Sequence, residues 1–177
     1  MKTIKILDRE YSVNVEEIDL YNTKVKDISV LKECKELEWL DLAFTEIKNV
    51  SVLKECKELE VLSFSYTKVK DISALKGCKE LKELYLSSTE IKDISALKGC
   101  KELKGLDLYN TKVKAILALK ECKNLKVLNL SHTKVKDISA LKECKELEML
   151  SLRGTRIKED DPTVKLLRER GVRVYFK

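Results

Sequence analysis

The chain repeats itself every 22 residues without an insertion or deletion, and this fixed period limits its possible folds more than any single motif does. The unit is seen whole from Asp41 to Leu62, DLAFTEIKNVSVLKECKELEVL. Units in register begin at Asp19, Asp41, Ser63, Tyr85, Asp107 and Asn129, and a seventh opens at Ser151 before diverging. Such self-similarity is the signature of a solenoid, in which each unit packs only on its neighbours and the core is one continuous stack. Sequence positions then become columns. Ile18, Leu40, Leu62, Leu84, Leu106, Leu128 and Leu150 form one apolar column; Leu20, Leu42, Phe64, Leu86, Leu108, Leu130 and Leu152 form another, two residues on. An apolar spacing of two, with a variable residue between, makes the run around Trp39 to Phe44 a strand whose leucines point inward. Columns starting at Val25, Ile28 and Leu31 continue the lining. Because stacked strands lie about 4.8 Å apart, no coil is thick enough to bury its leucines alone.

The pattern LxxLxLxxTxIxDISxLxxC is carried by Leu37, Leu40, Leu42, Thr45 and Ile47, then by Asp71-Ile72-Ser73 in the next unit, and recurs from about residue 15 to 158. It resembles the leucine-rich repeats, most of all the 22-residue subclass that includes the bacterial internalins. The resemblance implies an α/β solenoid, a right-handed horseshoe with a parallel sheet on the concave side and short helical turns, 3-10 or single-turn, on the convex side. It implies no particular partner, since fold does not fix function. The expected organisation is one domain over 1–177, with an N-terminal β cap at 1–15, about seven repeats at 16–158 and a C-terminal helix-strand cap at 159–177.

The two ends depart from the repeat in ways that suit caps, which solenoids need to cover the open ends of the stack. Ile4 and Ile6, then Tyr11, Val13 and Val15, alternate across Leu7-Asp8-Arg9-Glu10 and predict two short strands joined by a turn. At the other end Asp161 is placed to cap a helix with Pro162 at its first position. Val164, Leu166 and Leu167 form its apolar side, Gly171 stops it, and Val172 to Phe176 alternate as a last strand.

Composition fits an ordinary globular chain: 44% hydrophobic, 37% charged, net charge +6. The opening MKTIKILDREYSVN lacks the apolar run of a signal peptide, and no stretch approaches the roughly 18 apolar residues of a membrane span. An intracellular, cytoplasmic protein is therefore expected, and the host-receptor role of the surface internalins is not carried over.

Several columns read as structural. Thr23, Thr45, Thr67, Thr89, Thr111, Thr133 and Thr155 have no adjacent base and suit a ladder that satisfies backbone groups where the strand turns away. Asp27-Ile28-Ser29 and its copies open the helical turn with Asp or Ser as the capping group. The fifth unit breaks this with Ala115-Ile116-Leu117, a local drift or a small apolar contact on the convex edge. Cys34, Cys56, Cys78, Cys100, Cys122 and Cys144 occur once per unit, a spacing that fits neither zinc pairs nor a disulfide framework, so buried structural thiols are expected and no metal. No glycine-rich phosphate loop is present, and no cofactor is expected. Lysine columns starting at Lys26, Lys32 and Lys35 interleave with glutamates, reading as a solvated ion-pair lattice. Without interleaved aromatics they do not favour nucleic acid.

The columns that vary are the informative ones. Residues between and after the inward leucines face the concave side, and there Tyr21, Trp39, Asp41, Phe44, Tyr66, Glu83, Tyr85, Asp107, Tyr109, His132 and Arg153 form the candidate partner-binding set. Aromatic side chains are the usual anchors of protein interfaces, and the charges here are mainly acidic. His132 lacks a neighbouring nucleophile or second ligand and reads as a rim residue, so no catalytic residue is assigned. The expectation is a non-enzymatic, monomeric scaffold that engages a protein or peptide of basic character on this face. Two other readings stand beside it: an anionic-surface binder working through the convex lysines, and a repeat scaffold without a natural ligand.

Overall fold

The computed structural model describes residues 2–177. It opens with an antiparallel hairpin, β1 (Thr3–Ile6) and β2 (Arg9–Ser12), with Ile6 paired to Arg9. The turn is thus tighter than the sequence suggests: only Leu7 and Asp8 lie outside the strands, and Leu7 takes a φ of 55° to close it. Ile4 and Ile6 turn inward and cover the first coil.

The repeats then supply one strand each: β3 (Glu17–Asp19), β4 (Trp39–Asp41), β5 (Val61–Ser63), β6 (Glu83–Tyr85), β7 (Gly105–Asp107), β8 (Val127–Asn129) and β9 (Met149–Ser151). These three-residue strands pair in parallel with a register shift of one repeat, so Leu40 lies beside Leu62 and Leu62 beside Leu84. The inward leucines are fully buried, and Phe64 takes its place among them with no exposed surface. Burial of each such side chain in the continuous stack stabilises by about 1.5–3 kcal/mol.

Opposite the sheet, each coil makes one 3-10 turn: Ser29–Glu33, Ser51–Glu55, Ser73–Gly77, Ser95–Gly99, Leu117–Glu121 and Ser139–Glu143. Of the two side chains expected to cap them, only the first accepts. Asp27 Oδ1 takes the Ser29 N–H at 2.8 Å, and Asn49, Asp71, Asp93 and Asp137 repeat the bond. Ser29 Oγ instead donates to Asp27 Oδ2. The fifth turn forms without an acceptor because Ile116 and Leu119 are buried as firmly as their counterparts, while Leu117 stands 74% exposed. The threonine ladder closes the other corner: Thr45 Oγ1 donates to the Leu42 carbonyl at 2.7 Å, and each of the other six does the same three residues back.

In the last coil a true helix, α1 (Pro162–Glu169), replaces the 3-10 turn. Asp161 Oδ1 accepts from the N–H groups of Thr163 and Val164, and Gly171 follows at φ 84°. The chain then returns as β10 (Arg173–Tyr175), pairing in parallel with β9 as an eighth strand. The cap therefore extends the sheet as well as closing the core.

The six cysteines are buried and unpaired in the turns' inner layer. Their thiols reach the preceding coil: Cys56 Sγ lies 3.4 Å from the Leu31 carbonyl, Cys100 Sγ 3.4 Å from that of Cys78, and Cys144 Sγ 3.4 Å from that of Leu119. Burial pushes Cys56, Cys100 and Cys144 up to about 11, and Cys78 and Cys122 up to about 12. An unfolded chain ionises its thiols near their ordinary value of 9.0, so it sheds protons before the folded one does. Stability present below that pH is lost as pH rises toward the folded values, at about 1.4 kcal/mol per pH unit for each thiol. Urea midpoints should fall steeply above a pH of about 9, and a Cys78→Ala, Cys122→Ala double variant should show a shallower fall. Native-state alkylation of these thiols faster than global unfolding would contradict their burial.

Candidate partner-binding face

Outside the inward leucines, the sheet presents two columns of outward side chains fixed by register. One runs Glu17, Trp39, Val61, Glu83, Gly105, Val127, Met149 and Arg173; the next runs Asp19, Asp41, Ser63, Tyr85, Asp107, Asn129, Ser151 and Tyr175. Eight strands at about 4.8 Å make this face roughly 34 Å long. Arg173 and Tyr175 belong to it, a contribution sequence reasoning missed by treating the last strand only as a cap.

Asp41 and Asp107 have local work as well as charge. Asp19 Oδ1 accepts from the Tyr21 N–H, Asp41 Oδ1 from that of Ala43 and Asp107 Oδ1 from that of Tyr109, each within 2.9 Å. Asp107 Oδ2 also accepts from Ser87 Oγ at 2.6 Å. These carboxylates shape the exit from the strand.

The exit itself is the feature the sequence reading did not recognise. Asn22, Phe44, Tyr66, Ser88, Asn110 and His132 all have φ between 52° and 58°, and Gly154 follows at 64°. The left-handed conformation turns the chain away from the sheet while the N–H still pairs across coils, as from Phe44 to the Ser65 carbonyl at 2.9 Å. Asn, His and Gly adopt it readily; a bulky aromatic residue does not. The signal was present as Asn22, Asn110, His132 and Gly154 sharing one column.

Two aromatic residues are nonetheless held in this conformation, side by side. The Phe44 and Tyr66 rings stack at 4.3 Å between centroids and 13° between planes, and Tyr21 meets Phe44 edge-on at 5.5 Å. All three rings are 45–53% exposed, so they form a contiguous ridge along one rim of the face. A smaller group lies further along, where Tyr109 meets the His132 ring edge-on at 5.3 Å, and that ring lies over Gly154. Trp39 sits half-buried within β4, apart from the rim, and Arg153 is exposed beside the seventh exit.

Near the middle the face dips. A depression of about 400 Å³ is lined by Glu83, Tyr85, Gly105, Asp107, Val127 and Met149, among others. Its floor exists because Gly105 has no side chain; a methyl group there would collide with the Glu83 carboxylate, which lies across the gap. Burial raises the Glu83 carboxyl above its ordinary range, and neither the Tyr85 hydroxyl beside it nor Lys104 outweighs that effect.

The edges and convex side carry the ion pairs. Lys26 reaches Glu46 at 3.1 Å, Lys35 reaches Glu55 at 2.9 Å, and Glu90 sits between Lys70 and Lys112 at 3.3 and 3.2 Å. Hydrogen bonds from lysine hold Glu46, Glu55 and Glu90 below the usual carboxylate range. Among the described residues no group of His, Cys, Asp and Glu is arranged to hold a metal ion, and no helix is long and apolar enough to cross a membrane.

The family profile described as "Leucine Rich repeats (2 copies)" matches at residues 57–99, 79–121 and 123–165, more than half of the chain. The chain belongs to the leucine-rich repeat family. Among solved structures it is similar to internalin C2 from Listeria monocytogenes, at 26% identity and a TM-score of 0.86, covering 93% of this chain and 72% of that one. An internalin from the same organism, InlF, matches at 24% identity and a TM-score of 0.83, over 89% of this chain but only 46% of its own. A plant peptide hormone receptor, RGFR1, solved in complex with RGF2, shares the fold at 20% identity and a TM-score of 0.71, over 81% of this chain and 25% of its own. No curated protein sequence matches the chain.

The left-handed rim makes a two-sided prediction for urea unfolding. Asn110→Val places a β-branched residue there and should cost about 1–3 kcal/mol. Tyr66→Asn should shift stability by less than about 1 kcal/mol, because relief of backbone strain offsets the lost ring stacking. A large loss for Tyr66→Asn would mean that the ring is there to hold the fold.

Proposed function

We propose that the chain is a non-enzymatic binding module that holds a basic segment of a protein or peptide along its concave face. The observation that supports this best is the ridge of Tyr21, Phe44 and Tyr66. Two of its rings sit on backbone that disfavours them, and they are exposed rather than packed into the core. Strain of this kind persists where it serves a purpose other than stability. Preformed aromatic rings on a rigid sheet lose little conformational freedom on binding, which is why they act as anchors.

Charge sets the direction. Glu17, Asp19, Asp41, Glu83 and Asp107 lie on the first five coils, whereas Arg153 and Arg173 lie on the last two. A linear partner would place its basic part against the first five coils, with Trp39, Tyr85, Tyr109 and His132 as further contacts. The similar plant receptor was solved with RGF2, which agrees with a binding role for this architecture and names no partner here.

The test is selection from a random-sequence peptide library on the wild-type chain, with counter-selection on the Phe44→Asn, Tyr66→Asn variant. Basic sequences should be enriched, and the variant should lose them while remaining folded. Enrichment of acidic sequences, or binders indifferent to the variant, would overturn the reading. Retention on heparin that survives the variant would point instead to the convex lysines.

A further inference from the structure

The depression over Gly105 differs from the rest of the face. Elsewhere in its column a side chain stands over each strand, as with Trp39 on β4 and Val61 on β5, and only β7 is bare. The gap has an apolar floor and far wall, where Val127 is 43% exposed and Met149 half-buried, an aromatic side in Tyr85, 41% exposed, and one carboxylate, Glu83, reaching across it. Asp107 adds a second negative charge, although its oxygens already accept from Ser87 and Tyr109. The fixed cations nearby are on the strand-entry edge: Lys82 and Lys126 bridge outward to Glu60 and Glu148, and Lys104 is exposed.

We infer that this depression is a pocket for one arginine side chain of the bound partner, its aliphatic stem on Gly105 and Val127 and its guanidinium between the Glu83 carboxylate and the Tyr85 ring. The inference deepens the concave-face reading and rests on it. An arginine combines the three properties the walls ask for: an apolar stem, a planar cation that stacks on an aromatic ring, and donors that fork onto a carboxylate. Lysine offers the stem and the charge, but its compact, strongly hydrated ammonium gains less from a ring and a half-desolvated acid. The state of Glu83 agrees with this: burial raises its carboxyl because no counter-charge fully compensates it, and an incoming guanidinium would supply one. Entry requires the Glu83 side chain to swing off Gly105, a rotamer change of a flexible chain with no backbone movement.

The probe is N-acetyl-arginine methylamide, titrated into the full chain to tens of millimolar while the Gly105 amide and the Val127 and Met149 methyl groups are followed by NMR. The citrulline and lysine counterparts are the comparisons. Saturable shifts at these three residues, with a Kd of about 1 mM typical of so small a ligand, are expected for arginine. Citrulline should bind at least about tenfold more weakly, as should arginine on Glu83→Gln. Gly105→Val fills the gap on a strand that accommodates valine and should abolish the shifts with the fold retained. Equal binding of citrulline or lysine, arginine binding unaffected by Glu83→Gln and Gly105→Val, or no saturable shift would each overturn the inference. If the probe fails while ridge variants still lose selected peptides, the pocket falls and the concave-face reading stands; if it binds while they do not, the ridge is what fails.

Discussion

A coil 22 residues long cannot enclose its own leucines, and everything else in the molecule follows from that shortage. Leu62 is buried because Leu40 and Leu84 lie on either side of it in parallel register, and the same holds along the stack. The unbroken 22-residue spacing from Asp19 to Ser151 keeps every strand in the same parallel register with its neighbours. The same shortage makes the ends special. A hairpin covers the first coil, and α1 with β10 covers the seventh, β10 pairing with β9 and Val164 and Leu167 entering the core.

Closing such a thin coil requires a sharp exit from the sheet, and the left-handed residue before each threonine provides it. The threonine hydroxyl and the strand-exit carboxylates then satisfy the backbone groups that the turn releases. This corner is the structural device on which the candidate binding ridge is mounted: a position imposed by backbone geometry is occupied, in two coils, by side chains that the geometry does not favour. On the edges and convex side the lysines reach the glutamates of neighbouring coils, and the fifth turn departs from the rest by leaving Leu117 exposed.

The core was legible from the sequence because its columns repeat one chemistry at two periods, two residues within the strand and 22 between coils. The cysteine column was legible for the same reason, although its weak bonds to the preceding coil's carbonyls were not. The exit column was masked by its own variation: Phe44, Tyr66 and Ser88 hid the common backbone demand that Asn22, Asn110, His132 and Gly154 express. In the sequence Gly105 is one more variable position, and the gap it leaves becomes a feature only with Glu83 of the neighbouring strand lying across it. In the sequence the last strand is legible only as part of a cap, because alternation says that a strand exists but not which neighbour it joins. Trp39, Asp41, Glu83, Tyr85 and Asp107 share a face because the parallel register puts them there.

The most direct measurement is a hydrogen-exchange footprint of the chain with and without a saturating basic peptide. Added protection is expected along the sheet side, concentrated in 39–44, 61–66 and 83–88, with the 3-10 turns unchanged. Protection confined to the turns at Ser51–Glu55, Ser73–Gly77 and Ser95–Gly99 would contradict it.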